Sequence, residues 1–243
     1  MKTVLITGAS KGIGCEIARE FANNGYSVAI NYNKSETEAN KLYNYIINNG
    51  GNAILVKADI SNPNEVSTMV EYTLKCFGHI DVLVNNAGVC VKNLIIDEQD
   101  DITKNVIEIN LLGSIYTSKY VLKSMVQQGF GKIINISSIW GNCGAACEAT
   151  YSASKSGIIG LTKSLAKEYG YNNINVNCIC PGLVETNMNK NLSEQELLEI
   201  IENIPQKRMA RPKEVAKLAL FLADQTGDYI TGQIITIDGG FTL

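Results

Sequence analysis

Short apolar runs rich in β-branched residues alternate with helix-length amphipathic stretches along the whole chain, and this alternation leaves few folds open. Candidate strands cover residues 3–7, 27–31, 53–57, 81–85, 132–137, 174–179 and 233–237. Candidate helices cover roughly 12–24, 35–49, 63–77, 101–127, 151–169 and 212–223. Runs that are apolar on both sides belong to parallel strands buried under helices. Parallel neighbours need crossovers, and right-handed crossovers that wind outward in both directions put helices on both faces of the sheet. The pattern therefore predicts an α/β chain with one doubly wound, seven-stranded parallel sheet, a Rossmann fold. No Pro/Gly/Ser-rich linker, charge block or internal repeat divides residues 1–243, so a single domain is expected.

The first strand, Thr3-Val-Leu-Ile-Thr7, runs straight into Gly8-Ala-Ser10-Lys11-Gly12-Ile13-Gly14 and then a helix. Glycines at a strand-to-helix turn let the backbone approach a pyrophosphate, which meets the positive end of the helix dipole. The spacing is G-x-x-x-G-x-G rather than G-x-G-x-x-G, and a purely structural tight turn is the competing reading. The second strand ends in Asn31, Tyr32, Asn33 and Lys34, with no acid before Glu36. A site preferring NAD places a carboxylate there for the ribose 2′-hydroxyl. Lys11 and Lys34 instead suit a 2′-phosphate, so NADPH is the expected cofactor, against the alternative that both lysines are merely solvated. Asp59 and Ile60 follow the third strand, on the adenine side, and Asn86-Ala87-Gly88 follows the fourth, where small residues permit close approach.

Composition excludes several functions. The net charge of −3, without a basic stripe, speaks against nucleic acid. Seven cysteines are scattered through apolar segments, and neither Cys178-Ile-Cys180 nor Cys143-Gly-Ala-Ala-Cys147 has a second pair at finger spacing, so no metal is expected. No signal-peptide pattern or membrane-length apolar run occurs, and a cytoplasmic protein without a membrane partner is expected.

With His79 the only histidine, acid–base chemistry must come from elsewhere. Tyr151-Ser-Ala-Ser-Lys155 supplies it: residues four apart share a helix face, and a nearby ammonium lowers a phenol pKa of about 10 toward neutrality. The bland alternative is a surface tyrosine beside a solvated lysine. Ser137-Ser138 ends the fifth strand, and Asn110 sits inside a long predicted helix, where an amide is a poor choice without a specific task.

Thr7-Gly-x-x-x-Gly12-x-Gly14, Asn85-Asn-Ala-Gly88, Asn110, Ser138, Tyr151-x-x-x-Lys155 and Pro181-Gly182 occur in the order and spacing of the short-chain dehydrogenase/reductase family, which the chain resembles over essentially its whole length. The resemblance implies hydride transfer between nicotinamide and a carbonyl or alcohol. It implies Tyr151 as proton donor and Lys155 as a group that lowers its pKa and binds the nicotinamide ribose. Ser138 would bind the substrate oxygen, and Asn110 would hold a water linking Lys155 to solvent. Pro181, Gly182, Val184 and Thr186 match the segment at the nicotinamide end, and residues 185–210 read as a helical lid or an ordinary surface helix. Homotetramers are the family's usual assembly; Ile109, Leu112, Ile115, Ile158 and Ile159 suit either a subunit interface or the core.

Within the family the chain is similar to bacterial 3-oxoacyl-[acyl-carrier-protein] reductases, which implies a carrier-bound ketone substrate, fatty acid biosynthesis and acyl carrier protein as partner. Gly129 and Asn172 stand where such reductases often present arginines to the acidic carrier; Lys123, Lys132 or Lys167 are the candidates to compensate. Ser137-Ser-Ile-Trp-Gly141 and Ala146-Cys-Glu148 are similar to a subgroup that reduces the 5-aminopentanone group on elongation factor P, where Glu148 would meet an amine. Another small ketone or alcohol remains an alternative substrate. A nucleotide-binding scaffold without turnover is the non-enzyme alternative, although such proteins usually lose the tyrosine or lysine.

Overall fold

The computed structural model describes residues 1–189 and 192–243. Seven strands, β1 (Thr3–Ile6), β2 (Ser27–Tyr32), β3 (Asn52–Lys57), β4 (Val82–Asn85), β5 (Gly131–Ile136), β6 (Ile174–Pro181) and β7 (Ile234–Ile237), form one sheet. Its order is β3-β2-β1-β4-β5-β6-β7 with every pair parallel. The chain winds outward in one direction from β1 to β3 and in the other from β4 to β7. The crevice of such a sheet opens where the order reverses, at the carboxyl ends of β1 and β4.

The helices are α1 (Gly12–Asn23), α2 (Glu36–Asn48), α3 (Pro63–Phe77), α4 (Asp100–Ile107), α5 (Gly113–Gln128), the single turn α6 (Trp140–Cys143), α7 (Ala149–Tyr169), α8 (Glu194–Glu202) and α9 (Pro212–Ala223). Side chains alternate across each strand, so β1 sends Val4 and Ile6 to one face and Leu5 to the other. The first face packs on Ile17 and Phe21 of α1, Leu42 and Ile46 of α2, and Val215 and Leu222 of α9. The second packs on Val66 and Met69 of α3, Val121 and Met125 of α5, and Leu165 of α7. Local signals set the ends of α3: the Asn62 side chain accepts from the Asn64 N–H at 3.0 Å, Pro63 occupies the first turn, and Gly78 closes the helix at φ +84°.

The predicted helix over 101–127 differs from the observed one in its middle. A π turn, Glu108–Leu112, interrupts it between α4 and α5, with Asn110 at its centre. Such turns widen the helix by one residue and concentrate at functional positions. Among the described residues, no helix is long and apolar enough to cross a membrane.

Candidate active site

At the crevice, Thr7 locks the ends of β1 and β4 together. Its hydroxyl accepts the N–H groups of Asn86 and Ala87 at 2.9 and 3.1 Å. Asn86 answers by donating its side-chain amide to the carbonyls of Thr7 and Gly8 at 2.9 and 3.1 Å. This approach is possible only with glycines in the turn. Gly8 has φ +60°, and a Cβ there would lie 2.8 Å from Ala87 Cα; a Cβ on Gly14 would lie 2.4 Å from Asn86 Nδ2. No side chain caps α1, so its leading N–H groups remain for an anionic ligand. These are the features a dinucleotide pyrophosphate needs.

A cavity of about 470 Å³ runs from this turn across the carboxyl ends of the strands. It gathers Gly8, Ser10, Lys11, Gly12 and Ile13 from the turn, Asn31 to Lys34 from the end of β2, and Asp59 and Ile60 from beyond β3. Asn86, Ala87 and Gly88 join them, as do Ser138, Tyr151, Lys155, Pro181, Gly182, Val184 and Thr186. Val89, Ser35, Ile136 and Met188 also line it and have no motif that marks them in the sequence.

Two sequence-predicted residues stand behind the cavity wall. Gly14 packs on Asn86, and Asn110 is 1% exposed. The Asn110 amide accepts the Val89 N–H at 2.8 Å and donates to the Val89 carbonyl at 2.9 Å and to Ser154 Oγ at 3.0 Å. It thereby pins the loop after β4 beside Lys155: a Cβ on Gly88 would lie 3.3 Å from Asn110 Oδ1 and 3.4 Å from Lys155 Nζ.

At the ribose end, Asn31 braces the fold. Its amide accepts from Gly8 N at 3.1 Å and donates to the carbonyls of Val56 and Ala58 at 3.2 and 3.1 Å. Lys11 Nζ stands 3.4 Å from Glu38 Oε1 at the rim. Burial opposes ionisation of Asp59, but hydrogen bonds from Ser61 and Asn33 outweigh it and hold the carboxyl below its usual range.

Tyr151 and Lys155 lie one turn apart on α7, both buried. Lys155 Nζ donates to the Ile136 carbonyl at 2.9 Å and sits 5.7 Å from the Tyr151 ring centroid. The backbone carbonyl of Lys155 accepts the Ser137 hydroxyl at 2.8 Å, fixing α7 against the end of β5. The Ser138 oxygen accepts the Trp140 N–H at 3.2 Å and faces the same cavity as Tyr151. The expected acidification of the phenol is not what this environment produces. Burial pushes the Tyr151 pKa up, the Cys90 thiol and Glu148 add to the rise, and Ser138 opposes it. Burial likewise pulls the Lys155 ammonium down, to about 8. At neutral pH the arrangement holds a protonated phenol beside a cation: a loaded proton donor rather than a base.

Glu148, at the N-terminal edge of α7, is buried; its Oε2 accepts the Cys90 thiol at 3.3 Å, and Lys92 Nζ is 3.9 Å from Oε1. Lys132, expected as a surface cation for an acidic carrier, is instead 1% exposed on β5 and bonded to Asp228 and Asn175 at 2.7 and 2.8 Å. An alternating strand placed it in the core, which removes it as a steering charge. Of the lid-like segment, α8 lies on the surface with no buried residue, while Lys190 and Asn191 lie outside the described residues.

Comparison with known proteins agrees with this geometry. Residues 8–242 match a family model described as enoyl-(acyl carrier protein) reductase, of the short-chain dehydrogenase/reductase group. The chain belongs to the short-chain dehydrogenase/reductase family. Among curated members, it is 42% identical over 243 residues to a 3-oxoacyl-[acyl-carrier-protein] reductase of Synechocystis, covering 100% of this chain and 97% of that protein. It is 39% identical over 242 residues to the enzyme of that name from Buchnera aphidicola, covering 100% and 98%. Identity to the Staphylococcus aureus enzyme is 37% over 242 residues, with the same coverage. The family's sheet order and the Tyr151–Lys155 pair on α7 are both present here.

Proposed function

We propose that the protein reduces a ketone to a secondary alcohol with NADPH, and that its substrate is a 3-oxoacyl group carried on acyl carrier protein. The observation that carries the reading is the Ser138–Tyr151–Lys155 cluster at the end of β5, in the same cavity as the glycine turn. The activity for which the full-length relatives are named supports the choice of substrate.

When bound in this cavity, NADPH would supply the hydride for the carbonyl carbon. Ser138 and Tyr151 hold the carbonyl oxygen, where negative charge develops as the carbon is reduced. Tyr151 then gives its proton to that oxygen, leaving the alcohol. An alkoxide is far more basic than even a buried phenolate, so the raised pKa costs little in this direction and keeps the donor charged with its proton. Lys155 stabilises the resulting phenolate, and Asn110 holds Val89 and Gly88 against that lysine. The glycine turn and Asn86 would hold the pyrophosphate, and Lys11 and Lys34, which line the same cavity, would meet the 2′-phosphate. Pro181, Gly182, Val184 and Thr186 border the nicotinamide end. One domain, a homotetramer and a cytoplasmic setting complete this reading, and sedimentation tests the assembly.

A second substrate class is favoured by Glu148. A buried carboxylate is stable only when paired, and here a weak thiol donor and a lysine at 3.9 Å are its side-chain partners. An amine-bearing ketone, such as the aminopentanone group on elongation factor P, would bring it a cation. The test is NADPH oxidation with three substrates: 3-oxoacyl thioesters, the carrier-bound forms, and aminoketone-modified protein. Fastest turnover of carrier-bound 3-oxoacyl chains supports the first reading; turnover of the aminoketone alone replaces it with the second.

A further inference from the structure

The ribose rim of the cavity carries two cations and two anions. Lys11 and Lys34 line it, Asp59 is held there by Ser61 and Asn33, and Glu38 on α2 stands behind Lys11 with Oε1 3.4 Å from Nζ. We propose that Glu38 is a specificity-determining residue that weakens the site's preference for NADPH over NADH. The proposal rests on the dinucleotide reading above and deepens it.

A 2′-phosphate brings a charge of about −1.5 to −2. Lys11 would meet it while sharing its charge with Glu38 at 3.4 Å, and the Glu38 carboxylate would repel a phosphate drawn to that lysine. A bare 2′-hydroxyl suffers neither penalty, and a carboxylate near it is the usual partner of NADH. Glu38 therefore pulls against the lysines. It is half exposed, as is Lys11, so its influence is limited by solvent screening. The pair's position fits this role: Lys11 is the last residue before α1, fixed by the glycine turn, and Glu38 lies in the first turn of α2.

The test is direct titration of the full-length protein with NADPH and with NADH, followed by nicotinamide fluorescence. Glu38→Gln keeps size and removes the charge, and Glu38→Ala serves as a second variant. The ratio of NADPH to NADH affinity is expected to rise about two- to five-fold in both, the range of an exposed ion pair, and the gain is expected to shrink at high salt. An unchanged or lower ratio, with both dinucleotides still bound, would show that Glu38 does not oppose the phosphate and would overturn the inference while leaving the coenzyme assignment intact. Binding of neither dinucleotide by the unaltered protein would overturn both.

Discussion

Replacing Asn110 with alanine separates a positioning role from mere presence in the core. The amide closes a two-way bond with the Val89 backbone and a third with Ser154, at 2.8, 2.9 and 3.0 Å. Alanine strands the Val89 N–H and carbonyl and one side of the Ser154 hydroxyl. A fully buried orphan costs about 1–3 kcal/mol; Val89 is half-buried, so the low end applies to each group and the total is about 2–3 kcal/mol. For a chain of this size, that lowers the melting temperature by roughly 4–12 °C. Freeing Val89 also frees Gly88, where an added Cβ would lie 3.4 Å from Lys155 Nζ. A displacement of about 1 Å near reacting groups costs up to roughly 100-fold, so kcat should fall by about 10- to 100-fold. Thermal melts and steady-state kinetics at saturating NADPH measure both effects. A melting temperature unchanged within about 1 °C, with kcat within about two-fold of the original, would refute the reasoning.

Three further outcomes follow from the geometry. Because burial holds the Lys155 ammonium at about 8, kcat/KM for ketone reduction should be flat near neutrality and fall as pH rises through that value; a pH–rate profile flat to pH 10 contradicts it. Gly14→Ala puts a methyl where 2.4 Å separates it from Asn86 Nδ2, so NADPH affinity by fluorescence titration should weaken by about ten-fold or more, with the β1–β4 junction displaced. Lys132→Met removes a buried cation whose partner Asp228 is largely exposed, so stability should change by no more than about 1 kcal/mol. The same variant should leave the ratio of activities on carrier-bound and free thioester ketones unaltered; a selective loss on the carrier-bound form would return Lys132 to the surface.

The sheet was legible because its strands are nearly all apolar: β1, β2, β4 and β5 are buried along their whole lengths, and turn residues punctuate the runs. The Tyr151–Lys155 pair was legible because helix geometry fixes residues four apart. What spacing could not convey was environment. Proximity alone makes Lys155 acidify Tyr151, whereas burial of both groups dominates in the folded chain. Lys132 looked like a surface charge because lysine usually is one, and only the pairing across β6 to Asp228 accounts for its position. The π turn around Asn110 gave no periodic signal beyond a polar residue in an apolar stretch. In sequence Thr7 is only a strand end, yet its hydroxyl joins β1 to the β4 loop, a role that depends on strands far apart in sequence.

The decisive measurement is the rate of NADPH oxidation with a 3-oxoacyl thioester, for the protein and for Tyr151→Phe, alongside the NADPH dissociation constant of each. Proton donation by Tyr151 requires turnover in the first, a fall of about 100-fold or more in the second, and nearly equal coenzyme affinity. A phenylalanine variant that reduces the ketone at the original rate would show that the proton comes from another group.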